Sequence, residues 1–76
     1  PPEQFEFALR YSPTAQLLRS SGIALQEEQF RTLLSRAMAY KKRPTTARLE
    51  QLREILLELP KTDQRQQLMA SLVSAD

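Results

Sequence analysis

The chain has no cysteine, no histidine, no tryptophan and a single glycine. Without cysteine there are no disulfides and no thiol nucleophile. Without histidine there is no imidazole to act as a base near neutral pH, and most zinc and haem sites lose their usual ligands. One glycine cannot build a Gly-rich phosphate loop. Long apolar runs are missing as well: the longest, Ala37-Met38-Ala39-Tyr40, is far too short to cross a bilayer. β-Branched residues are few beside leucine, glutamine, glutamate, arginine and alanine, which favours helices over a sheet.

What is present is 76 residues, 41% hydrophobic and 26% charged, the composition of an ordinary globular domain. A chain of this length buries only about 60% of the surface its unfolded form exposes, which leaves one core and little depth for an active site. The expected fold is all-α, a compact bundle of four or five short helices joined by short turns containing Pro or Gly, with residues 1–76 as a single helical domain. The start at Pro1-Pro2, with no initiator methionine, reads as a piece of a larger protein. Lack of cysteine fits a reducing compartment without requiring one, so cytoplasm or nucleus is the default location.

Phe5, Ala8 and Leu9 share one face of a short first helix, and Ser12-Pro13 interrupts it as a cap followed by a first-turn proline. A second helix, or the continuation of a kinked first one, carries Ala15, Leu17 and Leu18 and stops near Ser20-Ser21, with Gly22 as the left-handed cap. Leu25 and Phe30 are spaced as a hydrophobic staple around a cap at Gln26. The stripe Phe30, Leu33, Leu34, Ala37 and Met38 then faces the core until Pro44 ends that helix at Arg43. Thr45 or Thr46 can cap the next helix, whose stripe is Leu49, Leu52, Ile55, Leu56 and Leu59, with Glu50, Glu54 and Glu58 on a more exposed side and Pro60 marking its end. Asp63, with Gln66 three residues on, is the expected capping box of a last helix bearing Leu68, Met69, Leu72 and Val73.

The net charge of +2 conceals a strong asymmetry. Residues 29–49 hold Arg31, Arg36, Lys41, Lys42, Arg43 and Arg48 and no acid, a block of +6, while the segments on either side each sum to −2. The run Lys41-Lys42-Arg43 at a helix end, with Arg48 early in the next helix, should gather positive charge at one corner. Basic residues in a last helical turn are favoured by the helix dipole and need no ligand. Read functionally, the corner meets either an acidic patch on a partner protein or the phosphates of nucleic acid. The second reading is weakened by Glu50, Glu54 and Glu58, which would repel phosphates if their helix lay in a groove, and by the lack of an aromatic array for stacking bases.

Tyr40 lies off the main stripe and reads as rim packing, yet with Arg36 and Arg43 it is also the first candidate interface anchor. Tyr11 reads as a lock on the helix junction at Ser12-Pro13. Leu57 widens the apolar face of its helix, which argues for burial among several neighbours. If it is exposed instead, it begins a helix-docking groove. The carboxylates have the placement of solvated helix faces, so no catalytic, metal or cofactor residue is assigned and an enzyme is not expected. The reading reached is a non-catalytic protein-interaction module. Its partner-binding residues are Arg36, Tyr40, Lys41, Lys42, Arg43, Arg48 and Leu57, and its partner is a protein with an acidic patch. Nucleic-acid binding through the same corner and self-association are the alternatives, and no membrane partner is expected.

Overall fold

Helix boundaries fall where the sequence supplies caps. The structure, a computed structural model, describes residues 1–74, which form α1 (Pro2–Tyr11), α2 (Pro13–Arg19), α3 (Glu27–Lys42), α4 (Thr46–Leu56) and α5 (Asp63–Val73). No strand occurs among the described residues, and the all-α class expected from composition is the observed one. Between α1 and α2 the backbone of Ser12 is extended (φ −69°, ψ 150°), and its Oγ accepts the Ala15 N–H at 3.0 Å. Two helices therefore replace the alternative of one kinked helix. After α2, Gly22 takes φ +78°. A Cβ there would meet only the Gln64 side chain, at 3.7 Å, so backbone conformation rather than space calls for glycine.

Gln26 caps α3 as expected, with Gln29 Oε1 accepting the Gln26 N–H at 3.0 Å. Thr45 caps α4 through an Oγ1 that accepts the Arg48 N–H at 3.2 Å. Two boundaries differ from the expectation. Helix α4 stops at Leu56 rather than running on to Pro60, because the Glu58 and Leu59 N–H groups bond to the carbonyls of Ile55 and Leu56, three residues back. That tightened turn returns Leu59 to the core, where it is buried. The cap of α5 is Thr62, whose Oγ1 accepts the Arg65 N–H at 3.3 Å. Asp63 moves into the first turn, where its charge faces the positive end of the helix.

The core is one cluster fed by α2 to α5. Leu18, Leu33, Leu34, Leu52, Leu56 and Leu72 are its fully buried large side chains, each worth roughly 1.5–3 kcal/mol in transfer from water. Helix α3 touches the other four helices and is the axis of the bundle. The radius of gyration is 11.6 Å, against about 11.4 Å for a globule of this length.

The carbonyl ends of α1 and α3, and the turn that follows α4, each receive an arginine arriving from further along the chain. Arg19, at the end of α2, donates to the carbonyls of Leu9 and Arg10, the second at 3.3 Å, and its guanidinium lies 5.4 Å from the Phe30 ring centroid. Arg48 of α4 donates to the Ala39 carbonyl at 2.8 Å, and Arg65 of α5 donates to the Leu59 carbonyl at 3.1 Å. At the ends of α1 and α3 a guanidinium suits this task because its charge opposes the negative end of the helix while its donors reach the last carbonyls, that of Ala39 also accepting the Arg43 N–H at 3.1 Å. The junction beside α1 is thus fastened by Ser12 and Arg19. Tyr11 is not its lock, being 67% exposed.

Candidate functional site

The six cations of the basic block divide into two groups. Arg31 bonds Glu6 at 3.0 Å and approaches Glu27 at 4.0 Å, and the hydrogen bond to Glu6 raises its already high pKa. Arg36 donates to the Gln51 carbonyl at 2.6 Å and to Glu54 at 3.2 Å, tying α3 to α4. Arg48 closes α3 as described. All three are engaged within the molecule, which leaves Lys41, Lys42 and Arg43 as the exposed cations of the block.

The three-residue turn 43–45 folds α4 back along α3, and residues from the start of α3 (Gln26, Glu28, Gln29) line a crevice with Ile55 and Glu58 from the end of α4. Residues assigned to one surface from sequence are therefore spread out. Lys41, Lys42 and Arg43 stand at the turn, with Tyr40 half-buried beside them against the core. Arg36 lies about 8–10 Å back along α3 and faces α4. Leu57 follows α4 at its far end, about 16 Å along the helix from Thr46. The corner and Leu57 do not form one patch.

Leu57 is 65% exposed, which overturns the expectation of burial. Its neighbours Ile55 and Leu56 fill the core face, and the early end of α4 leaves Leu57 at the lip, where no further helix covers it. It borders an open groove of about 420 Å³ between the end of α4, the 57–62 turn and α5. Leu56, Leu57, Met69 and Ala70 supply the apolar surface. Arg53, Lys61 and Arg65 stand around it, and among the described residues no carboxylate lines it. Glu54 is paired with Arg36, Glu58 lines the crevice on the α3 side, and Asp63 occupies the first turn of α5.

Arg53, Lys61, Arg65 and Met69 were not among the residues singled out from sequence. Met69 read as core, and the three cations are scattered through a segment whose net charge is negative. The available signal was Leu57 itself, an apolar residue off its helix's stripe and three positions before a proline. A further exposed apolar feature is the Phe7–Tyr11 pair on α1, with ring centroids 4.9 Å apart, tilted by 53° and both about two-thirds exposed.

Among the described residues no group of three or more acidic side chains is placed to hold a metal ion, and no helix is long and apolar enough to cross a membrane. The arrangement defines a small helical bundle with an apolar groove at one end and a cationic turn at the other. Comparison with family models, with curated proteins and with solved structures found no match for the chain.

Proposed function

We propose that this domain is a non-catalytic protein-interaction module and that its docking surface is the groove between α4 and α5. The observation that supports this is Leu57, a large apolar side chain held in water beside apolar neighbours when the same helix buries Leu52, Ile55 and Leu56. Exposed apolar groups gathered around a concavity are the usual source of binding energy at helix-docking sites, and cations around them set orientation and specificity. The seat of the apolar contact remains Leu57, while the flanking charge passes from the corner at residues 36–48 to Arg53, Lys61 and Arg65. Tyr40 and Arg48 then serve the core and the end of α3.

A helical-peptide library selected on the wild-type domain and counter-screened on Leu57→Arg tests the reading. Enriched peptides are expected to compete with one another and to lose binding to the variant. Peptides that bind wild type and Leu57→Arg equally would place docking elsewhere. The second reading, phosphate binding, is favoured by the exposed Lys41-Lys42-Arg43 turn. It predicts micromolar binding of DNA or RNA that falls steeply between about 50 and 200 mM salt. That binding must also vanish when Lys41, Lys42 and Arg43 are changed to glutamate.

A further inference from the structure

Resting on the groove reading above, we infer the chemical class of its occupant: a short amphipathic helix with an apolar face and acidic flanks. Three observations carry this. First, both long walls are helices, α4 and α5, and the Leu59 carbonyl at the turn between them is taken by Arg65. The walls therefore offer no free ladder to an extended strand, and an occupant leaving water must satisfy its own backbone, as a helix does. Second, no aromatic side chain lines the groove. Proline-rich segments depend on aromatic-lined grooves, so a polyproline occupant does not fit. Third, the charged residues around the apolar floor are Arg53, Lys61 and Arg65, all cationic. A docked helix with lysine or arginine on its flanks would meet like charge, and one with aspartate or glutamate would meet opposite charge.

The wall supplied by α5 runs from Thr62 to Ala70, about 12 Å or two helical turns. That length accommodates apolar anchors at i, i+3 or i+4, and i+7. Two anchors would straddle Leu57 and Met69, and the acidic flanks would meet Lys61 of the turn and Arg53 of α4.

The test uses two synthetic peptides of about four turns, both with leucine at i, i+3, i+4 and i+7. One has glutamate on the flanking positions and its twin has lysine there. Binding is followed by amide chemical shifts of the whole 76-residue domain. The glutamate peptide is expected to bind at least about tenfold more tightly than its twin near 50 mM salt, with the preference shrinking as salt rises. Its shifts should centre on Leu57, Lys61, Met69 and Ala70. Lys61→Glu should reduce the preference severalfold without altering the fold, since Lys61 is exposed. Arg65 is unsuitable for this purpose because it also holds the Leu59 carbonyl in the turn between α4 and α5.

Equal binding of the two peptides at the groove would overturn the acidic assignment and leave the docking reading standing. No binding of either peptide below about 1 mM, roughly the weakest affinity worth calling specific here, would overturn both. Concentration-dependent dimerisation that occupies the groove and excludes the peptides would overturn the acidic helix in favour of a second copy of the chain.

Discussion

The two ends of the α3–α4 hairpin make an instructive pair. At the turn end stand Lys41, Lys42 and Arg43, three adjacent cations in water with the only nearby aromatic, Tyr40, drawn against the core. At the open end the cations are separated in sequence, but an apolar floor lies between them. Charge by itself gives long-range attraction that salt screens, whereas apolar surface gives binding energy that charge can then direct. By density of charge along the chain the turn end looks more functional. By apolar surface left in water beside a concavity, the open end has more to offer a partner.

The sharpest way to break the comparison is to alter adjacent leucines. Leu56→Ala removes a fully buried side chain and should cost about 2–5 kcal/mol, while Leu57→Ala next to it should change stability by less than about 0.5 kcal/mol. Urea unfolding of both variants checks this, and equal costs would mean that Leu57 is covered and the groove closed.

A smaller effect separates the arginines from the lysines of the basic block. Arg48→Ala removes the charged one of two donors to the Ala39 carbonyl at the end of α3, leaving the Arg43 N–H, and should cost about 1–2 kcal/mol. Lys42→Ala should stay within about 0.5 kcal/mol. If the two variants melted together, Arg48 would belong with the exposed corner after all.

The smallest change tests that stability and docking are independent. Gly22→Ala forces a Cβ into left-handed geometry at a turn lined by neither surface and should cost about 1 kcal/mol, a fall in melting temperature of roughly 4–8 °C. Peptide affinity at the groove, measured well below the melting transition, should be unchanged. A parallel loss of affinity would mean that the groove reports on global stability.

Helix positions were readable because each depends on neighbours in sequence: Ser12, Gly22, Gln26, Thr45 and the prolines act within a few residues of where they stand. Core stripes were equally readable, since periodicity alone brings Leu33, Leu34 and Ala37 to one side of α3. The misjudged positions depend on what happens across the fold. Leu57 is exposed because α4 ends a turn early and, among the described residues, nothing crosses its outer side. Arg36 and Arg48 counted as free charge in sequence, yet their partners, the Gln51 and Ala39 carbonyls, lie 15 and 9 residues away. A main-chain carbonyl carries no mark in a sequence, so an arginine reserved for one looks the same as an arginine open to a ligand. The groove was invisible for a similar reason, since its walls come from two helices and a turn and its cations are diluted by acids that face elsewhere.

The arginines that close helix ends also bear on how the chain assembles. Arg19 reaches back 9 and 10 residues to α1, Arg48 reaches back 9 to α3, and Arg65 reaches back 6 to the turn after α4. The ends of α1 and α3, and the turn after α4, therefore gain their guanidinium only when the next segment folds back. Short sequence separation keeps the entropy of each closure small, so the steps should be fast and follow chain order. The Leu59 carbonyl is met only once Arg65 is in place, which makes the arrival of α5 the event that completes both the fold and the groove.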